Sequence, residues 1–506
     1  MNVDLLTQSP VFVLAIPLLF AFLTPLANKV SKELRNAVFL IGLLLTTLFV
    51  SLMAYEVYTM GSWIYVFGAE QPTTGLTTQS FFRITFLADG FSVLAALTII
   101  ITALGAGIYS FGHMKESNGL GKFYTLFLLT LAGVNGMVLT SDLFNLFVWF
   151  EVTSIASCGL IAYHNDRGES VEAALKYMII SVIAGLLLLF SIGFFYGEYG
   201  VLNYFLIRDS MTGSLIDILA IGMVMVILAM KASSVPMHMW APDAYSEAPE
   251  PITPFIAITS LGSLFVLFRL LFFVFRGAVE TSAIGSILII LGVLSMFIGV
   301  SMALKQSDLK RLIAYLSVSQ IGYMMMAVGV GFATLGTGDY GIFGARAMEG
   351  GLFHMINDGV YKALLFLSAG GIVYVADTRD LNKLGGLAHH MPYTTFFFII
   401  GGLSIAGIPP LSGFSSKLLI YKSVYLYNPV LAIIALVVSI VTLALIGKIF
   451  FNAFLGPDQG VGKKIPRSMI LAMSILTIVV VLFSLFPNYV VAEIVVPAIE
   501  ALGVGA

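Results

Sequence analysis

The sequence has 506 residues, of which 59% are hydrophobic and only 10% are charged, and its mean hydropathy is +1.00. A soluble chain carries about a quarter of its residues as charges, so this composition excludes a soluble globular protein and predicts one surrounded by lipid. A formal net charge of -2, with no lysine- or arginine-rich run, excludes a nucleic-acid binder. The single cysteine, Cys158, excludes an internal disulfide, and the sequence lacks the Cys or His spacing of a zinc or iron–sulfur site. No cofactor or metal is therefore expected in this chain.

Fourteen apolar segments recur along the chain, each long enough to cross about 30 Å of hydrocarbon as a helix. They are apolar on all sides and do not alternate like barrel strands, so we expect an all-α polytopic membrane protein. The first segment has no basic stretch before it and contains Pro17 and Pro25, so it is interpreted as a span and not a cleaved signal, with the mature chain beginning near Met1. The predicted spans lie near residues 10–28, 37–57, 85–110, 121–140, 143–163, 171–196, 215–240, 252–276, 281–304, 309–331, 351–375, 392–425, 430–455 and 466–488.

Lysine and arginine are distributed unequally between the loops on the two sides of these spans. Fifteen fall on one side, here called the basic side, and four on the other. Because cytoplasmic loops collect Lys and Arg, this bias predicts an even number of spans with both termini outside. The basic side receives Lys29, Lys32, Arg35, Lys115, Lys122, Arg167, Lys176, Lys305, Lys310, Arg311, Arg379, Lys383, Lys463, Lys464 and Arg467, and the other side Arg83, Arg208, Arg276 and Arg346.

An internal repeat joins the fifth and tenth spans. Ser141-Asp142-Leu143 opens one and Ser307-Asp308-Leu309 opens the other, at an offset of 166 residues. Because an odd number of spans separates them, the two units are expected to face opposite ways in the membrane, as in inverted-repeat transporters.

The seventh and twelfth spans carry signals of broken helices. Pro236 interrupts the seventh shortly after Lys231, and Gly407-Ile408-Pro409-Pro410 interrupts the twelfth shortly before Lys417. Breaks in corresponding positions of two halves indicate a transport site, because freed carbonyls and helix ends can coordinate ions or water.

Ionisable side chains inside the fifth and seventh spans are costly, at about 2.5–3.5 kcal/mol each, so they are expected to be paired, hydrated or functional. Glu151 is interpreted as a proton-carrying group, and the alternative is a protonated structural hydrogen-bond donor. Lys231 suits a switch because a lysine releases its proton far more readily than an arginine, and the alternative is snorkelling toward the interface.

The eleventh span places His354, Asp358 and Lys362 at successive i, i+4 steps, which puts three titratable groups on one helical face. This pattern predicts stepping stones for protons, and a static ion pair between Asp358 and Lys362 is the competing account. Lys417 is expected to be the group on the exit side. Lys310, at the start of the tenth span, is either part of the path or a plain positive-inside anchor.

The chain resembles the antiporter-like subunits shared by respiratory complex I, Mrp-type multisubunit sodium/proton antiporters and membrane-bound energy-converting hydrogenases. The likeness covers nearly the whole chain. It rests on Phe150-Glu151, on Lys231 through Pro236 with His238 and Trp240, on Pro242-Asp243-Ala244 and Glu247-Ala248-Pro249, on Ser307-Asp308-Leu309-Lys310-Arg311, on Ser319-Gln320-Ile321-Gly322-Tyr323, on Lys362, and on Gly407-Ile408-Pro409-Pro410 with Ser416-Lys417.

The resemblance implies three N-terminal spans in residues 1–120, inverted five-helix repeats in 121–276 and 277–455, and a last span with a tail in 456–506. It implies a subunit of a larger complex in the cell membrane of a prokaryote, with protons and possibly Na⁺ as the transported ions. By position, the family's roles fall on Glu151, Lys231, His354, Lys362 and Lys417, and the ion path predicted for this chain also includes His238, Lys310 and Asp358. A redox module such as a membrane-bound hydrogenase is the expected driver, and a redox-independent D-type antiporter subunit is the alternative.

The chain departs from the family pattern at two positions. Many relatives have a histidine where this chain has Asp358, and a lysine or histidine within the eighth span, where residues 252–268 contain no ionisable group. Water or the neighbouring Ser260 and Ser263 are candidates to bridge that gap.

Two other functions fit the sequence less well. A quinone-reducing or hydrogen-producing subunit would need a Cys ligand set, a haem pair or a nucleotide fingerprint, none of which is present. A scaffold without transport would have no reason to retain a series of costly buried charges.

Overall fold

The computed structural model describes residues 7–67, 83–457 and 463–504, so the expected start near Met1 lies outside the described residues. Helices dominate because a lipid-exposed backbone must satisfy its hydrogen bonds within its own segment. The α-helices are α1 (Ser9–Val30), α2 (Lys32–Met60), α3 (Gly90–His113), α4 (Leu120–Leu139), α5 (Leu143–Ile161), α6 (Gly168–Tyr199), α7 (Tyr204–Ser210), α8 (Leu215–Lys231), α9 (Trp240–Glu247), α10 (Thr253–Arg269), α11 (Thr281–Leu304), α12 (Leu309–Ala333), α13 (Ala345–Ala376), α14 (Leu387–His390), α15 (Pro392–Ala406), α16 (Ser412–Tyr427), α17 (Pro429–Phe450), α18 (Arg467–Leu485), α19 (Pro487–Val490) and α20 (Val496–Glu500).

Within the described ranges, twelve helices are long and apolar enough to cross a membrane. Two further predicted spans are each divided into two shorter helices, α8 with α9 and α15 with α16. The polytopic all-α fold is therefore confirmed, and the two predicted breaks fall where Pro236 and Pro409 indicated them. The eleventh span is longer than predicted, because a π-helical turn at Tyr340–Gly344 extends α13 toward its N-terminus.

The two Ser-Asp-Leu motifs cap their helices in the same way. Asp142 accepts a hydrogen bond from the Asn145 amide at 2.8 Å, and Asp308 accepts one from the Arg311 amide at 2.9 Å. An extended segment also pairs with each motif, at Leu202 through Tyr204 for the first and Arg379 through Leu381 for the second. These matching caps support the internal repeat, and the inverted orientation of the two units stays a prediction.

The centre of the bundle is formed by α10, α12 and α13. The most apolar stretch of α12 is 100% buried, whereas that of α17 is 33% buried, so α17 presents apolar side chains outward. Polar and ionisable side chains on the central helices are therefore kept away from lipid.

A short hairpin lies on the side opposite the basic one and was not predicted. Strands β1 (Trp63–Val66) and β2 (Thr85–Ala88) pair antiparallel, with Trp63 opposite Ala88. Directly after β2, Asp89 caps α3 and forms a buried ion pair with Arg269, whose Nη2 lies 2.6 Å from the Asp89 carboxylate. This pair connects the N-terminal helices to α10.

Candidate ion-translocation site

The first helix break holds Lys231 at the last residue of α8. Its ammonium group donates hydrogen bonds to the side-chain hydroxyls of Ser154 at 3.1 Å, Tyr177 at 3.0 Å and Ser181 at 2.9 Å. The side chain is buried and directed into the bundle, so the snorkelling alternative does not describe this structure. Three neutral hydroxyls stabilise the ammonium ion without fixing it as charged, since each hydroxyl can also donate.

Glu151 lies one turn before Ser154 on α5, and its carboxylate contacts α6 at Gly185. Among the described residues, no direct ion pair joins Glu151 to Lys231, although the two charges interact at longer range. The predicted switchable pair is thus open in this conformation. It stays a prediction, because the structure holds a single state.

His238 lies in the non-helical connection between α8 and α9 and is 5% exposed. Its ring lies 6.4 Å from that of Tyr315 on α12, measured between centroids. Neither ring nitrogen has a hydrogen-bond partner within the described part of the chain. A buried imidazole in this condition is either hydrated or ready to accept a proton, because an unsatisfied polar group is costly.

The predicted face of α13 carries a connected set of polar side chains. His354 lies 3.0 Å from the Ser416 hydroxyl through Nδ1 and 3.2 Å from the side-chain amide oxygen Oε1 of Gln320 through Nε2. Asp358 and Lys362 form a direct ion pair, and both are almost fully buried. His354 is therefore held between α12 and α16, while the acid and base of α13 neutralise each other one turn away.

The second break positions Lys417 against a carbonyl that the interrupted helix leaves free. Lys417 donates to the carbonyl oxygen of Ile405 at 2.8 Å and to the Ser439 hydroxyl at 3.3 Å. Gly407 has a φ of +76°, and a Cβ on it would lie 2.8 Å from Lys417 Cδ, so a glycine is needed here for both reasons. The ammonium also lies 4.5 Å from the ring centroid of Tyr323, a distance typical of a cation–π contact.

A cavity of about 540 Å³ opens at the basic side, here called the basic-side cavity. It is lined by charged or titratable side chains from the ends of several helices and loops, among them His113, His164, Glu250, Lys310, Arg379 and Lys463. Lys310 is 3% exposed and donates to the carbonyl oxygen of Ala248 at 2.6 Å. A buried lysine with these partners is unlike a solvated anchor at the membrane surface, and its place in the ion path stays a prediction.

Glu250 is the acidic residue at the centre of the contacts in this cavity, and sequence reasoning missed it together with His113 and His164. Its carboxylate lies 3.2 Å from Nε2 of His113 and 3.7 Å from Nζ of Lys310. Burial would raise the pKa of the Glu250 carboxyl, but the charge of Lys310 and the neighbouring His113 outweigh burial and lower that pKa to about 2. The position of Glu250 in a loop, just before α10, gave no signal of this role in the sequence.

The structure thus brings the predicted residues into two clusters. Lys231 and its hydroxyl partners form the first, and His354, Asp358, Lys362 and Lys417 form the second. Lys310 belongs to neither and lies in the basic-side cavity. Sequence reasoning missed the polar partners Tyr177 and Ser181 and gave Gln320 no role in the path, because hydroxyl and amide groups are common in membrane helices and only their positions distinguish them.

Within the described residues, no group of three or more His, Cys, Asp or Glu side chains is placed to hold a metal ion. The expectation that this chain carries no cofactor stays a prediction.

The chain is similar to known membrane proteins. The family model described as NADH:quinone oxidoreductase/Mrp antiporter, TM matches residues 140–443. The chain is 31% identical to the D-type subunit of the Na⁺/H⁺ antiporter of Alkalihalophilus pseudofirmus, over 83% of this chain and 81% of that one. It is 30% identical to the N-type subunit of the NADH-quinone oxidoreductase of Desulforudis audaxviator, over 96% of this chain and 97% of that one.

Two solved structures share the fold. A chain of the membrane-bound sulfane sulfur reductase, an archaeal respiratory membrane complex, matches with a TM-score of 0.85 and 26% identity over 99% of this chain and 100% of that one. A chain of the Mrp complex from Dietzia sp. DQ12-45-1b matches with a TM-score of 0.83 and 24% identity over 98% and 97%. On the family match and the two relatives, the chain belongs to the NADH:quinone oxidoreductase/Mrp antiporter family of membrane proteins.

Proposed function

We propose that this chain translocates protons, or exchanges sodium ions for protons, as one subunit of a multisubunit membrane complex. The observation that carries the proposal is the placement of a buried lysine at each of two helix breaks, Lys231 at the first and Lys417 beside the second. The proposed path comprises Glu151, Lys231, His238, Lys310, His354, Asp358, Lys362 and Lys417.

The chemistry of these groups supports proton movement. Lysine, histidine and carboxylate side chains all exchange protons, whereas arginine does not under ordinary conditions. Asp358 and Lys362 lie next to each other in the membrane interior, where separate charges are costly, so movement of one proton between them changes no net charge. Hydroxyls around Lys231 and the free carbonyl at Lys417 supply polar surroundings to both lysines.

The proposed path runs through two five-helix units of the chain. The first five-helix unit, residues 121–276, contains Glu151 and the break at Lys231, and the second, residues 277–455, contains α13 and the break at Lys417. Residues 1–120 and 456–506 flank them. The basic-side cavity would serve as an entry for water and ions from the cytoplasm, with both termini outside and the chain in the cell membrane of a prokaryote.

The leading proposal for the driving force is a redox module in a partner subunit. It is supported by the likeness to a chain of an archaeal respiratory membrane complex over almost the full length of both chains. A redox-independent antiporter is the second candidate, supported by the 31% identity to the D-type subunit of a Na⁺/H⁺ antiporter. Purification of the native complex through a tag on this chain separates the two. A nickel–iron or flavin-bearing partner supports redox drive, and a complex without one supports the antiporter.

Ion movement itself is tested with Lys231→Met in sealed inverted vesicles that contain the complex. The pH of the vesicle lumen is followed with a fluorescent dye. The donor of the redox partner should acidify the lumen; in a complex without such a partner, a NaCl pulse should drive Na⁺ in and protons out, so that the lumen becomes more alkaline. The variant should assemble and lose most of its flux, while Lys422→Met, which changes an exposed lysine, should behave as wild type. Wild-type flux in an assembled Lys231→Met complex would reject the proposed function.

A further inference from the structure

The two polar clusters are separated by α10, which has no ionisable side chain from Thr253 to Phe268. This helix packs directly against α13 beside Asp358, because a Cβ on Gly359 would lie 3.1 Å from Ile258 and 3.4 Å from Leu261. A proton passing from Lys231 to Asp358 therefore has to cross a region where the eighth span offers no charge. The question is which groups provide hydrogen bonds there.

The side chain of Tyr245 on α9 occupies this region and is 1% exposed. Its hydroxyl lies 2.8 Å from the hydroxyl of Ser260 on α10. The same hydroxyl interacts with the side chain of Ser233, which lies in the first helix break two residues after Lys231. Tyr245 thus contacts the first break with one partner and the eighth span with the other.

Ring contacts place Tyr245 between the two clusters. Its ring lies 6.0 Å from that of Trp240, which lies 5.1 Å from the ring of Tyr177, whose hydroxyl accepts a hydrogen bond from Lys231 at 3.0 Å. On the other side, the ring of Tyr245 lies 6.0 Å from that of Phe366, one turn after Lys362 on α13. One neutral side chain is therefore packed between elements of both clusters.

We propose that the hydroxyl of Tyr245, together with Ser233 and Ser260, relays protons between the Lys231 cluster and the Asp358–Lys362 pair; this inference rests on the proposed function. A hydroxyl donates one hydrogen bond and accepts others at the same time. It can accept a proton on one side while it passes its own to the other, so no lasting charge forms in the low-dielectric interior. Such a relay supplies the connection that an ionisable residue in the eighth span would otherwise provide.

A purely structural role for Tyr245 is the competing explanation, and its ring contacts allow the two to be separated. The ring lies 6.0 Å from that of Trp240 and 6.0 Å from that of Phe366, both in edge-on arrangements. Tyr245→Phe keeps these contacts and removes only the hydroxyl. If the ring alone matters, the variant will work as the wild type does.

The experiment measures proton flux of the whole complex in sealed inverted vesicles. Tyr245→Phe should assemble normally and lower the flux about 10-fold or more, as expected when a group that transfers protons is removed. The matched control is Tyr124→Phe, which removes the hydroxyl of another buried tyrosine; Tyr124 lies on α4 and its ring stacks on that of Phe39 in α2. Its flux should stay at the wild-type value.

A rescue variant provides a measurement of proton flux that a purely structural role of Tyr245 would leave unchanged. Tyr245→Phe combined with Ser260→His places a proton-exchanging group in the eighth span and should recover much of the flux. Normal flux in assembled Tyr245→Phe, or no recovery in the double variant, would overturn the relay. If Lys231→Met in the same vesicles also pumps normally, the proposed function fails as well; if Lys231→Met is inactive, only the relay is rejected.

Discussion

Lys417 donates a 2.8 Å hydrogen bond to the carbonyl oxygen of Ile405, which the second helix break leaves without a helical partner. Lys231, at the first break, is bound instead by side-chain hydroxyls of α5 and α6. A carbonyl only accepts hydrogen bonds, so it favours the ammonium form of Lys417, while hydroxyls tolerate both forms of Lys231. The two lysines therefore differ in surroundings although both lie at breaks.

Removal of the charge of Glu151 should weaken the switch at the first break. Glu151→Gln takes away the longer-range attraction on Lys231 and should reduce proton flux about 10-fold or more with assembly intact. Glu198→Gln, an exposed glutamate on α6, is the control and should have no effect. Vesicle acidification measures both. Full activity of Glu151→Gln would show that the carboxylate takes no part.

Replacement of Asp358 by Asn should leave Lys362 buried without its acidic partner, because the ion pair loses its carboxylate. Lys362 is then driven toward its neutral form, and transport should slow. Asp358→His restores a group that relays protons near neutral pH and should rescue much of the rate. Equal rates for the asparagine and histidine variants, or a normal rate for Asp358→Asn, would remove the aspartate from the path.

Replacement of Glu250 should lower proton flux by an amount that does not depend on pH. Its pKa is lowered to about 2, so the carboxylate is charged throughout the physiological range, and its stabilising contacts are lost only as the pH falls through that value. Glu250→Gln should therefore lower flux by a similar factor at every pH between about 5 and 9. Wild-type flux in Glu250→Gln across this range would show that the charge of Glu250 takes no part in transport.

The topology predicts opposite labelling of two exposed loops. In a Cys158→Ser background, Asn382→Cys should react with an impermeant maleimide from the cytoplasmic face and Asp339→Cys from the outer face. Cysteines introduced near the N-terminus and beyond residue 495 should both react from outside. Reaction of Asn382→Cys and Asp339→Cys from the same face would break the model of fourteen spans.

Much of the fold follows from the sequence because hydrocarbon imposes a strict length and polarity on each span. The breaks after Lys231 and before Ser412 were marked by proline and glycine, residues that act through the local backbone. The sequence contains no comparable signal for the hairpin of β1 and β2, because two four-residue strands depend on tertiary contacts for their stability.

Residues of the candidate site could be predicted from the sequence only where an ionisable side chain lies within an apolar span. His354, Asp358 and Lys362 stand out because ionisable residues are costly in lipid. Tyr245 and Glu250 do not, because a tyrosine is ordinary in an apolar helix and a loop glutamate is ordinary at a surface. Their roles depend on neighbours far away in sequence, such as Ser260 and Lys310, which only the folded structure brings near.

The most direct test of the account is proton flux through a complex that carries Lys417→Arg. Arginine keeps the positive charge and the hydrogen bond to Ile405, but it does not release its proton under working conditions. Flux should fall about 10-fold or more while assembly, measured by co-purification of the partner subunits, stays normal. Flux at the wild-type rate in the assembled Lys417→Arg complex would contradict a proton path through this lysine.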